Sequence, residues 1–298
     1  MDGVLLIDKP SGPTSHDVVA RLRRTTGERG IGHTGTLDPH ATGLLPLVLG
    51  RATRLASFFS GSDKTYEATI RWGFATDTDD AAGVPRGVAI SARPMHDEVD
   101  AALEAFRGTF AQIPPQHSAK KVRGAKAYDL ARGGQAVDLA PVIVTIHSLE
   151  VLQRSDDLLA IRLRASAGFY VRALARDLGE RIGCGAHLAA LRRTASGRFT
   201  IAEAVTLADA EREGPGIAAR LLSPSEALSS LPAVSVTDLG LKRASHGNSV
   251  GPEHLQGACI PVLAGGQRVR ILDPGGVLLA VAESRGGALH PVVVLGYN

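Results

Sequence analysis

The chain has 298 residues, 44% of them apolar and 21% charged, with 33 Lys+Arg against 30 Asp+Glu and a formal net charge of +3. That length and apolar content fit one large domain, or a large one and a small one, around a sizeable core, and exclude wholesale disorder. Two cysteines, Cys184 and Cys259, exclude a zinc knuckle, a CxxC redox pair and a disulfide framework. No apolar run approaches the ~18 residues that span a bilayer, and the N-terminus reads as a folded segment without a basic leader. The expectation is a cytoplasmic protein that does not touch membrane.

Residues 15–26 predict a helix: Thr14 or Ser15 can cap it, Val18, Val19 and Leu22 form the apolar stripe, and Gly27 stops it. Residues 30–43 carry four glycines, which argues against a regular element there. Asp38 stands before Pro39 in this loop, with His33 five residues earlier. An Asp-Pro pair fits a simple turn, and equally a carboxylate that an extended, glycine-flanked backbone presents to a ligand. No GK[ST] follows, so a P-loop is excluded, and His33 has no partner at metal-ligand spacing. Residues 44–49 then read as a short buried element.

Residues 64–72 alternate, with Tyr66, Ala68, Ile70 and Trp72 against Thr65, Glu67, Thr69 and Arg71, as a half-buried strand does. Tyr66 is then either a core residue with its hydroxyl at the surface or a ring shown to a ligand. A helix is expected over 97–107, and two strands over 142–152 and 158–166 joined by a polar hairpin. From Val171 the period becomes 3.6, through Leu174, Ala175, Leu178 and Ile182, until Gly183 and Gly185. Residues 186–193 predict a second, short helix. Tyr170 and Arg172 lie off the apolar stripe at the start of the first; a buried arginine there needs a carboxylate for its fork, and Asp38 is one candidate. Residues 203–231 read as a connector, and the glycine-punctuated strands after it as a small β-barrel.

Charge is partitioned. Residues 63–104 sum to −5, 117–132 to +4, 160–200 to +6 and 203–228 to −3. The two basic stretches are either solvated faces or one patch for a polyanion.

Taken in order, Gly3-Val-Leu-Leu-Ile-Asp-Lys-Pro-Ser-Gly-Pro-Thr-Ser15, Gly32-His-Thr-Gly-Thr-Leu-Asp-Pro-His-Ala-Thr-Gly43, Ser62-Asp-Lys-Thr-Tyr66 and Thr76-Asp-Thr-Asp-Asp80 resemble the TruB family of pseudouridine synthases. So do Ile113-Pro-Pro-Gln-His-Ser-Ala-Lys-Lys121, Gly168-Phe-Tyr-Val-Arg172 and residues 183–193, so the resemblance covers nearly all of 3–200. It implies an α+β catalytic domain over residues 1–230, with a mixed, mainly antiparallel sheet and flanking helices, and a PUA-like β-barrel that binds RNA over 231–298. The implied activity is isomerisation of a uridine to pseudouridine in the T-loop of tRNA (position 55), by base flipping. No cofactor or metal, no obligatory protein partner and a monomeric state are expected with it.

Residue by residue, the resemblance makes Asp38 the catalytic aspartate, Tyr66 the ring that stacks on the target base, and Arg172 the partner of the aspartate. Tyr170 and Leu191 fall beside the active site, His33 on the histidine that enters the T-loop, and Lys9 and Lys121 among substrate-binding residues. Two positions depart from the family pattern: Phe169 replaces a threonine, and His117 a tyrosine or phenylalanine. The alternatives are an RNA-guided synthase of the same superfamily and a tRNA-folding chaperone without turnover.

Overall fold

A computed structural model describes residues 1–87, 94–117, 139–257 and 266–296, and the backbone of 121–122 and 125–126. In chain order the elements begin with β1 (Gly3–Lys9), α1 (Ser15–Thr26), β2 (Ile31–His33), β3 (Thr42–Leu49), α2 (Ala56–Ser60) and β4 (Lys64–Trp72). Next come the short pair β5 (Ala75–Thr76) and β6 (Pro85–Arg86), then α3 (His96–Glu104), β7 (Gly108–Gln112), β8 (Lys121–Val122) and β9 (Ala125–Lys126). β10 (Val142–Arg154), β11 (Leu158–Ala165), α4 (Val171–Ile182), β12 (Ala186–Ser196), β13 (Phe199–Thr200) and β14 (Val205–Thr206) follow. The chain ends with α5 (Leu207–Glu213), α6 (Pro224–Ala227), β15 (Ala233–Ser235), α7 (Asp238–Ser245), β16 (Arg268–Leu272), β17 (Leu278–Arg285) and β18 (Ala288–Val294).

Ten strands make one sheet in the order β14-β1-β3-β12-β4-β11-β10-β7, with β2 added to β3 and β13 to β12. Only the β1–β14 and β3–β12 ladders are parallel, so the sheet is mixed and mainly antiparallel. β1 and β3 are apolar along nearly their whole length because both of their faces are covered. Leu5, Ile7, Leu45 and Leu47 pack against Val18, Val19 and Leu22 of α1 and Leu207 and Ala210 of α5. Val4, Leu6, Leu44 and Val48 pack on the other side against Phe59, Phe199, Leu278, Val281 and Leu295. The remaining half of the sheet buries Ala68, Ile70, Ile161 and Leu163 under α3 and α4.

The helix at 15–26 starts on Thr14, whose hydroxyl accepts from Asp17 N while the Asp17 carboxylate accepts from Thr14 N, and it stops on a left-handed Gly27. Residues 186–193 are not a helix. They belong to β12, which fills the slot between β3 and β4 and hydrogen-bonds to both. Ala, Leu and Arg favour a helix locally, but the unfilled ladders on either side outweigh that preference. The glycine-rich loop contains a three-residue strand, β2. The expected connector is also structural: β14 runs parallel to β1, and Glu211 of α5 takes a forked ion pair from Arg21 of α1.

Strands β15, β16, β17 and β18 form a second sheet in that order, with its own core of Val236, Val269, Ile271, Leu279 and Leu289. Among the described residues no closed barrel is found, although single bridges tie Val250 to Leu289 of β18 and Leu255 to Val236 just after β15.

Candidate active site

Asp38 lies in the loop between β2 and β3, and the main chain on both sides of it is tied down. Lys9 is fully buried and its Nζ donates to the carbonyls of Pro10, Pro13 and Pro39 at 2.9, 2.8 and 3.1 Å. Ser15 Oγ accepts from Leu37 N at 2.8 Å, and Gly12 N donates to the Pro39 carbonyl at 2.8 Å. Arg172 comes from α4, one residue after the first. Gln112 fixes the start of that helix by accepting from Tyr170 N at 2.9 Å and donating to Tyr170 O at 3.1 Å. The two elements meet in a fork: Arg172 Nε is 2.9 Å from Asp38 Oδ2, and Nη2 donates to Oδ1 at 3.3 Å. The guanidinium side is 6% exposed and the carboxylate 34%, so the carboxylate looks into the cleft with its charge balanced from behind.

The rest of the guanidinium is fully engaged. Nη1 donates to Thr78 O at 3.1 Å, Nη2 to His117 O at 2.9 Å, and Asp80 Oδ2 stands 3.7 Å away. Asp80 is aimed by Thr78 Oγ1 (2.6 Å) and Ala82 N (3.0 Å), both donating to its Oδ1. His40 Nε2 is 3.7 Å from the same Asp80 oxygen that faces Arg172. Asp38, His40 and Asp80 could together offer ligands to a cation, but the guanidinium already sits between the two carboxylates and supplies the positive charge there.

Opposite the fork, Tyr66 on β4 is directly cross-strand from Arg193 on β12, and the two side chains interact electrostatically. Burial raises the Tyr66 phenol above its ordinary value. Arg193 also donates to Leu44 O at 2.7 Å and to Gly35 O at 3.1 Å. This close approach demands Gly43: its φ is +100°, and a Cβ there would lie 2.3 Å from the Arg193 carbonyl oxygen. Asp38, Tyr66, Tyr170, Arg172 and Leu191 all line one cleft of about 260 Å³, together with Lys64 and Arg193.

The expected residues are therefore placed in four ways. Asp38, Tyr66, Tyr170, Arg172 and Leu191 are brought together at the cleft. Lys9 lies beneath it with all three protons donated to carbonyls, and burial lowers its pKa to about 8, so it braces the Asp38 loop from inside. His33 is on β2, its pKa lowered by burial. The Lys121 side chain, and most of the basic stretch 117–132, lie outside the described residues. The other basic stretch is not an open patch: Arg162, Arg164, Arg172, Arg176 and Arg192 are ion-paired to acids and Arg193 is buried. Exposed Arg181 and Arg198 make no ion pair among the described residues.

The two departures are absorbed locally. Phe169 is buried edge-on against Phe110, and His117 meets Arg172 through its main-chain carbonyl, which any residue supplies. Lys64, Asp80 and Arg193 were not singled out in the sequence. Lys64 had a usable signal, since it shares the inward parity of Tyr66 and Ala68.

Residues 23–171 match the family model described as TruB family pseudouridylate synthase (N terminal domain), and residues 172–228 match the tRNA pseudouridylate synthase B C-terminal domain. A protein of Dechloromonas aromatica described as tRNA pseudouridine synthase B is 44% identical over 277 residues, covering 92% of each chain. One of the same description from Gloeobacter violaceus is 42% identical over 99% of each chain. Among solved structures, one of an H/ACA RNP bound to a substrate RNA containing 2'-deoxyuridine has the same fold, with a TM-score of 0.74 at 24% identity over 99% of this chain and 85% of that one. A Cbf5-Nop10-Gar1 complex is similar, with a TM-score of 0.73 at 26% identity over 98% of this chain and 84% of that one.

Proposed function

Because the chain belongs to the TruB family of pseudouridylate synthases, we propose that it isomerises a T-loop uridine of tRNA to pseudouridine, with Asp38 as the catalytic aspartate. Conversion of uridine to pseudouridine in tRNA is the activity of its relatives, and the finer assignment rests on the cleft. The observation that carries it is the Asp38–Arg172 fork facing Tyr66 across that cleft.

The space of about 260 Å³ suits one nucleoside and not a stacked duplex, so the uridine enters flipped out of its loop. Tyr66 offers the ring for it to stack on, and Leu191 and Tyr170 close the sides. Arg172 aims the Asp38 carboxylate through the fork, as attack at C1′ or C6, or removal of the 2′ proton, requires. His33, at the end of β2, is assigned to the T-loop gap left by the base. Residues 231–298 are assigned a PUA-like RNA-binding role, with the catalytic domain ending near residue 230. The reading places the enzyme in the cytoplasm as a monomer acting on free tRNA.

The test is pseudouridine mapping after incubation of the purified protein alone with unmodified tRNA. Wild type should modify the T-loop, and Asp38→Asn should yield no product while RNA affinity stays within about tenfold, since phosphate contacts dominate it. Product only in the presence of a guide RNA and partner proteins would reject the stand-alone reading.

A further inference from the structure

Two cations buried beside Tyr66 have no acid partner among the described residues. Lys64 is 7% exposed and gives two protons to the carbonyls of Ser60 and Ser62, each at 2.6 Å. Arg193 is 1% exposed, lies cross-strand from Tyr66 and donates to the Leu44 and Gly35 carbonyls. They flank the same point, since a Cβ built on Gly35 would lie 3.4 Å from Arg193 Nη1 and 3.8 Å from Lys64 Cε. Burial, with Arg193 adding to it and the charge of Asp63 opposing it, lowers the Lys64 pKa to about 8.

Buried charges are ordinarily paired with an opposite charge. Arg172 across the cleft follows that rule, with two carboxylates within 3.7 Å. Lys9 breaks it, but its protons are all bound to carbonyls. Lys64 and Arg193 break it while lining the cleft and keeping N–H groups in reserve. The cleft is thus electrically lopsided: a carboxylate–guanidinium pair on one wall, and unmatched positive charge on the other.

We propose that Lys64 and Arg193 receive the negative charge that develops on the uracil as it leaves the ribose. The inference rests on the isomerase reading above. Detachment breaks the C1′–N1 bond with both electrons remaining on N1, so the base becomes a monoanion delocalised over O2 and O4. If an Asp38 oxygen bonds to C1′, the carboxylate charge is consumed in that bond. If Asp38 takes the 2′ proton, the carboxylate becomes a neutral acid and the sugar a glycal. If Asp38 adds to C6, the charge passes to O4 of the adduct. In each case one negative charge leaves the Arg172 side and appears on the base, and nothing is oxidised or reduced. A field already in place and unmatched before the reaction favours the transition state over the bound substrate.

The experiment compares single-turnover consumption of uridine and of 5-fluorouridine in a T-arm stem-loop, for wild type, Lys64→Met and Lys64→Arg, with RNA affinity and circular dichroism measured alongside. Lys64→Met should slow uridine consumption by about 100-fold while affinity changes by less than about threefold. Fluorine stabilises the departing anion, so with 5-fluorouridine the loss should shrink to below about tenfold. Lys64→Arg, which keeps the charge, should recover most of the rate. Equal losses on both bases would overturn the proposal, and so would weakened binding with an unchanged bound rate, the signature of a phosphate site. If Lys64→Met does not fold, Lys64→Gln keeps a donor for the Ser60 and Ser62 carbonyls without the charge and makes the same comparison. Failure of the isomerase reading appears separately, as a wild-type protein that makes no pseudouridine.

Discussion

Among the described residues Asp79 is the one non-glycine with positive φ, at 62°, and it immediately precedes the Asp80 that faces Arg172. Its own carboxylate turns the other way, to Arg176 Nη1 at 3.1 Å. Successive carboxylates thus meet two arginines one helical turn apart on α4, which holds the 76–80 turn against the helix. Burial nevertheless pushes the Asp79 carboxyl up to about 6, against the pull of Arg176 and Arg172. Below about pH 4 the folded and unfolded chains both hold this proton, and between about 4 and 6 only the folded chain does. Stability therefore falls as pH rises through that window and stays lower above it. Asp79→Asn, a residue that tolerates the left-handed backbone, should remove this dependence. Thermal melts should place it above wild type at pH 7.5, by up to about 3 kcal/mol, and level with it at pH 4.

β12 is the element on which the site depends most. It brings Arg193 opposite Tyr66 and beside Gly43, and Leu191 opposite Ala68, so one strand couples the Asp38 loop side of the sheet to the Tyr66 side. Its register against β3 tolerates no side chain at Gly43. Gly43→Ala should therefore cost about 2–4 kcal/mol in urea denaturation. It should also lower activity in the molecules that remain folded, because relief of the clash moves Arg193 away from Tyr66. An alanine variant with wild-type stability would show that β12 can shift, and would weaken the assignment of this junction as a rigid support.

The two sheets are joined by a common core, in which Leu278, Val281 and Leu295 of the C-terminal part pack against Val4, Leu6 and Leu44 of β1 and β3. Arg51 adds a link by donating to Gly296 O at 3.1 Å. A shared apolar core makes separate unfolding of either part expose the other. Calorimetry should accordingly give one transition with matching calorimetric and van't Hoff enthalpies, and two resolved transitions would mean that the parts fold independently. Net charge behaves in a similar way at this level. The +6 of residues 160–200 is largely neutralised in space by Asp8, Asp38, Asp63, Glu67 and Asp79, which come from distant parts of the chain.

Local signals sufficed for much of this protein. Alternation in 64–72, the 3.6 period from Val171, the Thr14 cap and the Gly27 stop each arise within a few residues, so the chain alone determines them. The ordered motifs likewise pointed to Asp38, Tyr66 and Arg172 as one set, and the fold brings the three to one cleft. Only the tertiary structure decided that 186–196 is a strand, because its partners are β3 and β4, more than a hundred residues away in sequence. It alone placed Asp80 behind Arg172 and left Lys64 and Arg193 without an acid partner among the described residues, since pairing and burial are set by which segments the sheet brings together. It also placed Lys9, expected among the substrate-binding residues, beneath the Asp38 loop with its protons on three carbonyls. A side chain's charge is written in the sequence; what that charge faces depends on packing between segments that carry no local mark of one another.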